Sequence, residues 1–160
     1  MEFEQDANGQ EVIYGHIAKA NTQWKDFEEN KEVLLIFNGP HSYVSSSWYG
    51  HENVPTWNYI AVHVYGEIQI IGEEELRCSL KKLVDKYEAH STHPVRMEEL
   101  SAKTMRQIKG IVGFKITISE IQAAYKLSQN RNEEDYHKII DELKKTEKPL
   151  SKAVSKIMEN

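Results

Sequence analysis

The run from Trp57 to Ile71 constrains the fold more than any other part of the chain. Ile60, Val62, Val64, Ile68 and Ile70 fall on one side of an extended strand, and Tyr59, Ala61, His63, Tyr65, Glu67 and Gln69 fall on the other. A period of two sustained this long requires a β-strand whose first face enters a core. The second face is neither apolar nor polar. Such a surface suits a wall turned toward a ligand or a second subunit, and a solvent face with aromatic ladders is the alternative.

The flanking segments supply partners for that strand. EFEQDANGQEVIYGHIA reads as a hairpin turning at Asp6-Ala7-Asn8-Gly9, where Asn-Gly provides positive φ. Thr22 to Glu29 reads as a short helix with Trp24 and Phe27 on one face. Val33 to Phe37 is a continuous apolar run, expected as a strand buried on both sides and ended by Asn38-Gly39-Pro40. Ser42 to Trp48 is its expected partner, and Gly110 to Ile118 a further strand.

Helices are equally plain. Glu73 to Glu88 carries Leu76, Leu80, Leu83, Val84 and Tyr87 in one stripe, with three glutamates at its positive end. After Pro94 a shorter helical stretch ends near Ile108, with Ser101 as its cap. Asn132 to Lys144 spaces Tyr136, Ile139, Ile140 and Leu143 helically, and the tail from Ser151 repeats the pattern with Val154, Ile157 and Met158. No linker divides the chain. The expectation is one α+β domain over residues 1–160, helical from about residue 132 onward.

Bulk properties exclude several classes. No apolar run approaches the ~18 residues of a membrane span, and no signal-peptide core follows Met1, so a cytoplasmic protein is expected. The single cysteine, Cys78, excludes an internal disulfide and a cysteine zinc cluster. Its helix position favours a packed side chain over a reactive thiol. The net charge is −5, with basic residues interleaved among acids, and no helix-turn-helix or zinc finger is visible. Charge therefore lends no support to direct DNA contact.

Enzymatic signatures fail one by one. His51-Glu52 begins like H-E-x-x-H, but the fifth position is Pro55, which lacks a ligand and breaks the helix the motif needs. No metal site is expected, and no catalytic residue is assigned. Ser45-Ser46-Ser47 lacks the G-x-S-x-G elbow, and neither phosphate-loop pattern occurs.

What remains is the segment from Gly39 to Gly66. It holds two of the three tryptophans, four tyrosines and three of the seven histidines. That density suits a flat ring system. SSSWYGHENVPTWNY followed by VHVYG closely resembles the core signature of the PaiB-type FMN-binding negative transcriptional regulators. GHIAKANTQW (Gly15 to Trp24), IKGIVGFKI (Ile108 to Ile116) and AYKLSQNRN (Ala124 to Asn132) resemble that family's other blocks, in the same order. The resemblance implies an antiparallel FMN-binding split β-barrel with peripheral helices, a homodimer, and repression of sporulation and degradative (protease) enzyme genes. DNA as a partner comes from the resemblance alone. Family members normally begin with further strands before the one that follows Met1 here, so the barrel and flavin site are expected to be incomplete at the N-terminus.

The flavin reading assigns groups by chemistry. Lys19 neutralises phosphate, with Asn21, Ser46 and Ser47 adding hydrogen bonds. Thr56 and Asn58 address the polar edge of the ring, and Trp48 and Trp57 pack against it. Trp48, Trp57 and Tyr59 as a hydrophobic dimer seam is the competing reading. Arg131 is the best single anion ligand, set against a reading in which its loop is fixed by hydrogen bonds and capped at Asn132. The alternative function is a flavin-dependent oxidoreductase or a haem-binding or haem-degrading split barrel, with His63 as proton donor or ligand. Because a flavin carries its own redox chemistry, the missing triad leaves catalysis open.

Overall fold

The computed structural model describes residues 2–6 and 8–160. Strands β1 (Glu2–Gln5) and β2 (Glu11–Ala18) are followed by β3 (Glu32–Val44) and β4 (Thr56–Ile70). Helices α1 (Glu73–Glu88) and α2 (Ala102–Met105) precede β5 (Ile111–Lys126), and α3 (Glu133–Lys145) and α4 (Pro149–Met158) end the chain. The five strands form one antiparallel sheet in the order β1-β2-β5-β4-β3. The fold is α+β, with the split-barrel sheet and peripheral helices that the sequence implies.

The chain forms two compact units, one made of residues up to Leu34 with Tyr65–Glu120, the other of Leu35–Val64 with Ile121–Asn160. In the first, β1 and β2 pair antiparallel from Glu2↔Tyr14 to Gln5↔Glu11. Their turn is tied by Asp6, whose carboxylate accepts from the Asn8 and Gln10 amides at 2.8 and 3.0 Å, and Gly9 takes φ +77°. Ala7, part of the expected turn, lies outside the described residues. On its other edge β2 pairs with β5 from Val12↔Thr117 to Ala18↔Ile111. Val12, Ile13, Ile68, Ile71, Leu76, Phe114 and Ile116 are buried in this unit. Phe27 is buried too, edge-on to Phe114 with ring centroids 5.8 Å apart. Its segment is a 3₁₀ turn over Thr22–Asp26, shorter than the expected helix.

Helix α1 has the expected span, but only Leu76 is buried, while Leu80, Leu83 and Val84 are half-buried and Tyr87 is exposed. Cys78 is exposed, which corrects the expectation of a packed thiol. Two residues beyond Leu76 is about 200° around the helix, so Cys78 points away from the one face that packs. Ser101 caps α2, its hydroxyl accepting from the Thr104 amide at 3.2 Å.

The second unit has its own core of Val44, Tyr49, Leu127, Ile139, Ile140, Leu143, Val154 and Met158. It is built because α3 and α4 are both amphipathic and turn their apolar stripes inward. Pro149 opens α4 at its first position, where a missing N–H costs nothing.

Strand β3 departs most from expectation. Asn38-Gly39-Pro40 does not end it; one strand continues to Val44, and Ser46–Trp48 is a 3₁₀ turn rather than strand. Gly39 has no positive φ. Its role is close approach, because a Cβ there would sit 3.1 Å from the Ile60 carbonyl oxygen. Pro40 is tolerated because β3 is an edge strand, where a missing donor breaks no ladder. The apolar run is not buried on both sides either: Leu34, Ile36 and Phe37 are exposed.

Candidate aromatic ligand site

Strands β3 and β4 place the aromatic residues of the signature segment on one face of the second unit. Alternation turns Ser42, Val44 and Asn58 into the core and leaves Tyr43, Trp57 and Tyr59 exposed, with His41 half-buried. His41 stacks on Trp57 at 5.9 Å between centroids and 26° between planes, and Tyr43 leans on the same indole at 6.2 Å. Two concavities share this pair. The smaller, about 320 Å³, lies along Asn38, Gly39, His41, Trp57, Tyr59 and Ile60. The larger, about 360 Å³, includes Tyr43, Trp48 and Trp57 with Lys148 and Leu150. Aromatic walls with this much room fit a flat heteroaromatic ring.

The segment after β3 is held by a residue that sequence reasoning missed. Asp135 is buried in the first turn of α3, and its carboxylate accepts from the Gly50 amide at 2.8 Å and from Asn132 Nδ2 at 2.9 Å. His51 Nδ1 lies 3.3 Å from it. Asn132 caps the helix in return, accepting from the Asp135 amide at 2.8 Å. This is a reciprocal cap, and the Asn-x-x-Asp spacing was its legible signal. The Gly50 hydrogen bond, with support from Asn132, His51 and Lys138, holds the Asp135 carboxyl below its usual range against the opposing effect of burial.

A depressed folded value means that Asp135 stabilises the protein fully above about pH 4, the ordinary carboxylate range, and that this is lost as pH falls through the folded value. Asp135→Asn is therefore expected to lower Tm at neutral pH and to flatten the decline of Tm below pH 4. Parallel acid limbs in the two proteins would remove the carboxylate as a source of stability.

The residues expected at the ligand separate into groups. Trp57 is open to a ligand, at 48% exposure. Thr56 and Ser46 are half-buried, and their hydroxyls have no hydrogen-bond partner among the described residues. Ser47 is less free, since its hydroxyl bonds Ser45 Oγ at 2.8 Å. Trp48 is half-buried and packs against the helical core while lining the larger cavity.

Asn58 is a correction. It is fully buried, its Oδ1 accepts from Ser128 Oγ at 3.0 Å, and its Nδ2 faces Met158 Sδ at 3.6 Å. Alternation in β4 puts it on the face opposite Trp57, so it anchors the core and cannot meet a ligand beside that ring. Arg131 lies over the Tyr49 ring at 4.9 Å, with its Nε buried and without a hydrogen-bond partner. Its loop is fixed internally: Gln129 accepts from the Leu127 amide and donates to the Tyr125 carbonyl, both at 2.8 Å. The loop-fixing, helix-capping reading thus describes this segment.

Lys19 and Asn21 belong to the first unit, directly after β2. Lys19 is exposed with no ion pair among the described residues, and its carbonyl accepts from Trp24 Nε1 at 3.0 Å. Asn21 spends its side-chain oxygen capping the 3₁₀ turn, accepting from the Gln23 amide at 3.1 Å, which leaves only its amide nitrogen for a ligand.

An antiparallel α+β fold with an exposed aromatic face agrees with one class, the small flavin-binding sheet proteins. Residues 1–120 match the family described as "Putative FMN-binding domain", and the chain belongs to that family. It is 51% identical over 149 residues to "Protease synthase and sporulation protein PAI 2" of Bacillus subtilis (strain 168), covering 92% of this chain and 72% of that protein. It is 28% identical to "Uncharacterized protein AN0679" of Emericella nidulans, again covering 92% of this chain and 72% of the relative. Among solved structures it is similar to the flavocytochrome Anf3 from Azotobacter vinelandii, with a TM-score of 0.52 and 19% identity, over 84% of this chain and 58% of that one. That likeness is one of fold. FMN is the cofactor that family membership brings.

Proposed function

We propose that this protein is an FMN-binding negative regulator of sporulation and degradative-enzyme genes, working in the cytoplasm as a homodimer. The regulatory part rests on the 51% identity to the Bacillus PAI 2 protein. The flavin part rests on one observation, the exposed Trp57 indole flanked by His41 and Tyr59 beside the close approach at Gly39. In this reading the isoalloxazine lies on Trp57 along the smaller concavity. Ser46 is proposed, on the strength of the family resemblance, to donate to its polar edge, with Ser47 in a lesser part, while Thr56 shares the face of Asn58 in β4 and is left out of the ring contact. Lys19 and the Asn21 amide nitrogen are proposed as phosphate ligands on the strength of the family resemblance. The flavin supplies redox chemistry when bound, while these residues bind and orient it.

Flavin fluorescence titration of the purified protein tests this. Trp57→Ala is expected to weaken both FMN and riboflavin about tenfold, the scale of one lost stacking partner, while the protein stays folded. Lys19→Ala is expected to weaken FMN several-fold and leave riboflavin unchanged, since only FMN carries the phosphate. Equal losses for the two ligands would defeat the role of Lys19, and no saturable FMN binding would defeat the reading.

The homodimer is proposed to form at edge strand β3, which exposes Ile36 on one face and Phe37 and Tyr43 on the other. An unpaired edge bearing exposed apolar side chains invites a second copy. Phe37→Asp is expected to convert the dimer to monomer in sedimentation velocity. A wild-type monomer, or an unaltered dimer in the variant, would place the seam elsewhere. Direct DNA contact is not part of this reading, because the net charge is −5 and several surface cations are engaged by acids: Arg77 with Glu73, Lys81 with Asp85 and Glu98, Lys138 with Glu134, Lys145 with Glu142. Repression through a protein partner, tuned by the flavin, agrees better with such a surface.

A further inference from the structure

The larger cavity of the second unit has a chemistry of its own. Its walls are the rings of Tyr43, Trp48 and Trp57, with His41 stacked on the last, and Pro149 and Leu150 of α4 complete them. At about 360 Å³ it sits near the lower end of the roughly 300–1,000 Å³ usual for ligand sites. One or two fused rings fit, and a dinucleotide does not.

Its polar groups are mostly spent. The buried hydroxyls of Ser42 and Ser151 bond each other at 2.8 Å, and Ser42 Oγ also donates to the Tyr43 carbonyl at 3.2 Å. Thr146 Oγ1 donates to the Leu143 carbonyl at 2.9 Å, and His41 Nδ1 faces the Gly39 carbonyl at 3.3 Å. The groups left over are donors. Among the described residues Lys148 has no ion pair and the Leu150 and Ser151 amides have no acceptor, because the N-cap residue Lys148 makes no side-chain capping bond. No carboxylate lines the cavity. Space walled by rings, with one cation and no spare acceptor of opposing charge, selects a flat ring bearing a single negative group.

We propose that this cavity binds a small aromatic carboxylate as a second ligand, its ring against Trp48 and Trp57 and its carboxylate at Lys148. The site is specific to this chain's C-terminal helices, since Thr146, Lys148 and Leu150 lie beyond residues 1–120 that match the FMN-binding family. It goes beyond the proposed flavin reading and uses that reading only in calling the ligand second. Because both concavities share His41 and Trp57, an occupant of one is positioned to sense the other.

The test is calorimetric titration of the full chain, with and without FMN, using indole-3-carboxylate and the uncharged indole-3-carboxamide. Saturable one-to-one binding of the carboxylate is expected both with and without FMN, with the carboxamide about tenfold weaker, as for loss of one charge-assisted contact. Lys148→Gln should weaken the carboxylate about tenfold and leave the carboxamide unchanged. Leu150→Trp should fill the cavity and abolish both, with FMN affinity and Tm retained. No saturable binding, equal affinities for the two probes, or competition by FMN would overturn the proposal, the last by giving the cavity to the flavin. Carboxylate binding in a protein that fails to bind FMN would sink the flavin reading alone.

Discussion

Gly66→Ala is expected to leave little folded protein. A Cβ at Gly66 would sit 2.3 Å from the Thr117 carbonyl oxygen and 2.8 Å from Ile116 Cγ2. Both neighbours belong to β5, the strand beside β4 in the sheet. Neither can retreat cheaply, because β5 is held on its other edge by β2 through Val12↔Thr117 and Ile13↔Ile116. Overpacking against movable side chains costs about 1–3 kcal/mol. Here the obstacle is backbone, so we expect about 4 kcal/mol or more, a large share of the roughly 5–15 kcal/mol that holds a domain together. Urea unfolding reads this as a collapse of the midpoint at unchanged m. An unshifted midpoint would show that β4 and β5 do not approach as closely as described.

Asn58→Ala should give the second-largest loss, and it separates a core anchor from a ligand group. The substitution removes the acceptor of Ser128 Oγ, and Ser128 is itself buried and sits at φ +61°, a conformation that L residues adopt only when surroundings enforce it. An unpaired buried hydroxyl costs about 1–3 kcal/mol, and the vacated volume adds to it. We expect a total of about 3 kcal/mol, which lowers Tm by roughly 6–12 °C for a chain of this size. FMN affinity of the folded protein should be unchanged, the reverse of Trp57→Ala. Weakened FMN binding at unaltered Tm would instead return Asn58 to the ligand.

Local pattern carried much of this. The alternation in β4, the stripe of α1, the Asn-Gly hairpin and the caps at Ser101 and Asn132 are short-range features whose causes lie within a few residues. The family signature was legible too, and with it the cofactor class. Asn58 was the misleading case: beside Trp57 in sequence, it lies across the strand from it, and only its long-range partners Ser128 and Met158 reveal its work.

Long-range pairing decided the rest. Asn38-Gly39-Pro40 carries every local mark of a turn, yet it continues β3, because an edge strand forgives the proline and the approach to Ile60 requires the glycine. In sequence Asp135 is one of three acids in a helix's first turn, and only the approach of Gly50 and His51 within the second unit sets it apart. The same is true of Lys148 and Leu150, which acquire meaning only beside Trp48 and Trp57. The sequence alone determined that β4 is a strand with one core face and that α1, α3 and α4 are amphipathic helices, since periodicity and capping act over a few residues. Which faces meet, which polar groups are spent on one another and which donors remain for a ligand were decided by tertiary structure, because those contacts join residues whose separation along the chain carries no local signal.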